Sequence, residues 1–185
     1  LTWASAVGLS ENGVCVTNYH VLRELIDTTV RLDVRDSLLF VSTWEGKVYL
    51  IKRVLSYSKA ADVALFEVDT RGERLRPMPV GEDLAVGNKV LTLTNPIGYP
   101  WTLTDGVVSR TVEEVEGNPF SRRLEITADF AKGSSGGAIL DERGNLVAMV
   151  SRISPIYYVD YPPRDLQMNV KYVVPVSVLR LLLEE

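Results

Sequence analysis

The chain has 185 residues, 46% of them hydrophobic and 24% charged, with a net charge of −4 and a pI near 5.2. A domain of this size buries about 70% of the surface its unfolded form exposes, so it needs no disulfide or metal staple. The acidic balance excludes the basic footprint of a nucleic-acid binder, no apolar run is long enough for a helical membrane span, and the one cysteine, Cys15, excludes an internal disulfide or cysteine-built metal cluster.

Strand patterns dominate the chain in order. Residues 3–9 and 13–17 are short runs joined by Ser10-Glu11-Asn12-Gly13, whose Asn-Gly is a hairpin signal. Cys15 falls in the second run, where alternation makes it a small buried hydrophobe. A short helical turn is expected over 20–25, then strands over 28–34, 38–44, 47–56 and 62–68. Residues 71–87, rich in charge, Pro and Gly, read as a connection between two halves. Strands follow over 89–94, 102–115, 123–128, 137–140, 145–151 and 167–174, and the aromatic, Pro-rich stretch 152–164 reads as a long loop. Residues 175–184 are helical, with Val176, Leu179, Arg180 and Leu183 at helical spacing behind Pro175. Many short strands and one terminal helix predict an all-β fold of two small antiparallel barrels, divided as 1–80, 81–174 and the helix 175–185.

Three places carry chemistry. Gly133-Ser134-Ser135-Gly136-Gly137 interrupts two strand patterns, and such a run is either a tight turn or a loop that exposes a hydroxyl among backbone donors. His20, the one histidine, closes a strand; alone, such a histidine is usually structural or simply solvated. Asp62 heads the apolar run Val63-Ala64-Leu65, where an aspartate commonly closes a turn. Together they supply an acyl-transfer set. A serine hydroxyl is nearly inert at neutral pH without a base in hydrogen-bond reach, and a buried carboxylate fixes the tautomer of that base. The order His, Asp, Ser is that of one serine-hydrolase arrangement and differs from the others.

On these motifs the chain resembles the trypsin-like serine peptidases of the chymotrypsin fold, in the HtrA/Deg-type branch. The resemblance rests on Thr17-Asn18-Tyr19-His20-Val21-Leu22, on Ala61-Asp62-Val63-Ala64-Leu65 and on Gly133-Ser134-Ser135-Gly136-Gly137. Asn95-Pro96-Ile97-Gly98 and Gly106-Val107-Val108-Ser109 add to it. It implies two six-stranded barrels with the active site between them, and a serine endopeptidase acting on extended or unfolded polypeptide. His20, Asp62 and Ser135 would be the catalytic residues, with an oxyanion hole from the backbone N–H groups of Gly133 and Ser135, helped by Ser134. Ser134 stands where activatable members carry an aspartate, so zymogen activation by an ion pair to a new N-terminus is not expected. Asp129, six residues before the nucleophile, would favour a basic residue at the cleaved position. The HtrA-type alternative is a small apolar preference, with Asp129 capping a turn or pairing with Lys132. Ser151 would flank the same pocket and touch Asp62, and the 152–164 stretch is either a packed surface loop or a lip of the cleft.

No cofactor or metal is expected, since one His and one Cys cannot build a hydrolase metal site. The resemblance favours a periplasmic or secreted location. No segment resembles a PDZ domain, and the start at Leu1 reads as a fragment or processed domain, with room for a further domain outside it. The competing function is a peptide-binding module that keeps the fold without cleaving.

Overall fold

The structure, a computed structural model, describes residues 3–27 and 39–183. In the first half lie β1 (Val7–Gly8), β2 (Val14–Thr17), the helix α1 (Tyr19–Asp27), β3 (Phe40–Ser42), β4 (Val48–Ser58) and β5 (Val63–Val68). The second half holds β6 (Lys89–Thr94), β7 (Thr102–Glu113), β8 (Arg122–Ile126), β9 (Ala138–Leu140), β10 (Leu146–Val159), β11 (Arg164–Pro175) and the helix α2 (Val176–Leu183).

The predicted pair of six-stranded barrels in an all-β fold is not what forms. Among the described residues the first half is a five-stranded sheet in the order β1-β2-β5-β4-β3, and its outer strands β1 and β3 do not pair with each other. β1 has two residues and β3 three. The strand expected over 28–34 lies outside the described residues. The second half is a six-stranded sheet, β10-β11-β8-β7-β6-β9, in which β9 pairs with both β10 and β6. Among the described residues two α-helices complete the fold. α1 runs nine residues where a single turn was expected, because Leu22 seats in a core with Tyr49, Phe66 and Val68.

The two halves share one core. Val16, Val63 and Leu65 of the first sheet pack with Ala138, Leu140, Met149 and Val174 of the second. Val178, Leu179 and Leu182 of α2 join the same cluster, and Pro175 ends β11 instead of opening the helix. The seam between the sheets is therefore held by buried apolar surface, worth about 25 cal/mol per Å² removed from water. The ends of β2, β5 and β9 converge on that seam.

The stretch read as a loop, 152–164, is mostly strand. β10 and β11 continue past the sheet as a two-stranded ribbon, with Ile156 opposite Met168 and Val159 opposite Arg164. Its period-2 residues Ile153, Pro155 and Tyr157 extend the β10 pattern, which the two prolines 162 and 163 then end in a turn.

Candidate active site

Each chemical side chain sits where a strand ends. β2 delivers the chain to Asn18, and His20 stands in the first turn of α1. Asp62 ends the turn before β5 with φ of +57°, a left-handed conformation that aspartate tolerates better than most residues. Ser135 lies in the turn that leads into β9. Its neighbours allow little variation. Gly136 has φ of +81°, and a Cβ there would run into the carbonyl of Ser5 and the hydroxyl of Thr17.

The structure brings the three together. His20 Nε2 lies 3.0 Å from Ser135 Oγ, and Nδ1 lies 2.9 and 3.0 Å from the two Asp62 oxygens. An ionised carboxylate can only accept, so Nδ1 carries the proton and Nε2 is left to accept from the serine hydroxyl. Asp62 Oδ1 also accepts from the His20 backbone N–H at 3.1 Å, where the positive end of α1 favours an anion. Oδ2 accepts from Ser151 Oγ at 2.9 Å. Asn18, fully buried, donates from Nδ2 to the Asp62 carbonyl at 2.9 Å and pins its backbone. The carboxylate thus has three donors of its own, and the imidazole has one available orientation.

The backbone around the serine divides into free and committed donors. Ile97 N–H donates to the Lys132 carbonyl at 3.0 Å. In a trans peptide N–H and C=O point opposite ways, so the Gly133 N–H faces away from Ile97. Ser134 N–H is committed to the Ala131 carbonyl at 3.0 Å, and its hydroxyl accepts from Ala131 N–H at 3.3 Å. Ser134 is fully buried and forms part of a turn. It therefore does not join the donor set, and Gly133 and Ser135 remain.

Asp129 does not stand as a lone charge. Its carboxylate is largely exposed and pairs with Lys171 Nζ at 2.6 Å rather than with Lys132. Its carbonyl accepts from the hydroxyls of Thr92 and Thr104. Ser5 was missed by sequence reasoning. Its N–H donates to the Ser135 carbonyl at 2.8 Å and its hydroxyl to the Gly133 carbonyl at 3.1 Å, while Asn95 N–H donates to that hydroxyl. A serine in the opening residues, 130 positions before the loop it holds, carries no local signal. Cys15 is buried beside Gly13, and loss of hydration pushes its thiol up to about 11, so it is not a second nucleophile.

These distances are the geometry in which a serine can act as a nucleophile, with a histidine as its base and an aspartate to orient it. Comparison with known proteins gives the family. Residues 4–149 match the family described as the trypsin-like peptidase domain, and the chain belongs to that family. It is 33% identical over 175 residues to Protease Do-like 1, chloroplastic, of Arabidopsis thaliana, covering 91% of this chain and 36% of that protein. To the probable periplasmic serine endoprotease DegP-like of Brucella suis biovar 1 (strain 1330) it is 24% identical over 179 residues, covering 96% and 31%. Among solved structures, Deg5 superimposes with a TM-score of 0.71 at 25% identity, covering 95% of this chain and 79% of that one. The HtrA-type protease AlgWS227A with tripeptide gives a TM-score of 0.74 at 21% identity, covering 98% and 54%, and so shares the fold. The chain spans about a third of the length of the two curated relatives named here.

Proposed function

We propose that this chain hydrolyses peptide bonds of extended polypeptide through an acyl-enzyme on Ser135. The observation that carries the reading is the continuous path from Ser135 Oγ through His20 to Asp62, closed by contacts of 3.0 and 2.9 Å. The hydroxyl proton passes to Nε2 as Oγ attacks the scissile carbonyl. The resulting imidazolium is stabilised by Asp62 and returns the proton to the leaving amine. The developing oxyanion lies between the N–H groups of Gly133 and Ser135, which have no other partner assigned among the described residues. A water then repeats the sequence on the acyl-enzyme, with His20 again taking and returning the proton.

The names of the relatives support the class, since they are called proteases and a serine endoprotease. Their printed locations, chloroplastic and periplasmic, favour an exported compartment for this chain as well. For the cleaved position we infer a small or apolar side chain. A basic preference needs an uncompensated carboxylate in a pocket, whereas that of Asp129 is exposed and already paired with Lys171. Hydrolysis of an unfolded protein such as casein by the purified chain tests the function. Ser135→Ala and His20→Ala should each lower kcat by about 10⁶-fold without loss of folding. Undiminished cleavage by Ser135→Ala protein would overturn the proposal.

A further inference from the structure

One buried charge in the molecule has no part in the chemistry just described. Arg123, on β8 of the second half, has a side chain only 2% exposed. Burial lowers the affinity of its guanidinium for the proton, and the carboxylate of Glu114 opposes that effect. The pairing is loose. Glu114 Oε2 stands 3.6 Å from Nε, which makes no hydrogen bond, and Glu114 is also engaged by Arg152. A buried charge so partnered is a poor way to gain stability, since an apolar side chain of like volume often does as well.

The donors of Arg123 are spent on backbone carbonyls instead. Nη1 donates to Phe120 and Arg122, at 2.9 and 2.8 Å, within its own half. Nη2 reaches across the seam to the Ala60 carbonyl at 2.8 Å. Ala60 lies in the turn that ends at Asp62. That turn is otherwise tied by Ala61 N–H to Ser58 Oγ at 3.1 Å and by a long Asp62 N–H to Lys59 bond of 3.3 Å. It must hold Asp62 in the left-handed region, which costs a non-glycine residue about 1–2 kcal/mol. From outside the turn, Asn18 holds the Asp62 carbonyl and Arg123 adds a second grip two residues earlier, on Ala60. Arg152, next in sequence to Ser151, lies over the Tyr172 ring at 4.4 Å and shares Glu114, so the cluster borders both supports of the carboxylate.

We propose that Arg123 is a positioning residue: from the second half it clamps the turn ending at Asp62, and so fixes the aim of the carboxylate at His20. This rests on the function proposed above. It makes registry between the two halves a condition for a working triad, because the His20–Asp62 pair and its clamp come from opposite sides of the seam.

The test is a cycle of Arg123→Lys and Arg123→Met made alone and in the Asp62→Asn background. Thermal unfolding is recorded for each, and assays are run well below every midpoint. Arg123→Met should lower kcat by about 100-fold and Arg123→Lys by about tenfold, with KM within about twofold. In the Asp62→Asn background either change should cost less than about twofold more, because the group it acts through is gone. Equal losses in both backgrounds, or wild-type kcat in the folded Arg123→Lys protein, would overturn the clamp. The chain's one histidine gives a readout independent of turnover. Its downfield imidazole N–H resonance should be sharp in the parent chain and broadened by faster exchange in Arg123→Lys. An unchanged resonance counts against the clamp even if the parent chain proves to have no peptidase activity, an outcome that would instead remove the proposed function.

Discussion

Gly133→Ala puts the oxyanion donors under direct test. Gly133 has φ of +98°, outside the comfortable range of L-residues, and an added Cβ would stand 2.7 Å from the Asn95 carbonyl and 3.1 Å from Ile97 N. Neither neighbour can yield easily. Asn95 is tied to Ser5 through its N–H and to Trp101 N–H through its side chain, and Ile97 N–H holds Lys132. The cheaper relief is rotation of the Lys132–Gly133 peptide, which breaks the Ile97 bond and swings the Gly133 N–H out of the site. Loss of one such donor costs about 10²–10³ in kcat, or ~3–4 kcal/mol of transition-state stabilisation. The backbone strain itself is about 1–2 kcal/mol, a fall in Tm of about 2–8 °C for a chain of this length. Steady-state hydrolysis of a peptide ester beside a thermal melt separates the two effects. KM should stay within about twofold while kcat falls. A folded Gly133→Ala protein with kcat within about threefold of the parent would refute the assignment of that N–H.

Three other outcomes are expected. Ser151→Ala removes one hydrogen bond to an ionised Asp62, worth about 1.5–3 kcal/mol, so kcat should fall by about 10- to 100-fold in the same assay. Asp129→Ser should leave the ratio of kcat/KM for Arg and Ala peptides within about twofold, and a collapse of Arg turnover would restore the basic pocket. The buried Cys15 thiol, with its pKa raised from 9.0 to about 11, binds its proton more tightly in the folded state. Its contribution is therefore complete below pH 9 and lost as pH rises through 11, a decline of about 3 kcal/mol that Cys15→Val should abolish in alkaline urea titrations.

Much of the site could be read in the residues because its chemistry needs particular types at particular strand ends. His20, Asp62 and Ser135 each follow or precede a short apolar run, and those runs became β2, β5 and β9. The structure then adds what local pattern cannot carry. Ser5, Asn18 and Arg123 act through backbone atoms 128, 44 and 63 positions away, so nothing near them in the chain marks the role. Ser134 and Ser135 look alike as letters, and the bond from Ser134 N–H to Ala131 is what separates a turn residue from the proposed oxyanion donor. The fold class failed for a similar reason. The prolines of 152–164 mask its strand pattern, the length of α1 depends on Leu22 packing with Phe66, and among the described residues the outer strands of the first sheet do not pair.

Ser135 is proposed as a nucleophile activated by His20. Incubation with a serine-directed fluorophosphonate, followed by proteolysis and peptide mass mapping, addresses it most directly. The expected result is a single phosphonyl adduct on Ser135, absent from Ser135→Ala protein and strongly slowed in His20→Ala protein. An adduct on any other residue, or equal labelling of Ser135→Ala protein, would contradict it.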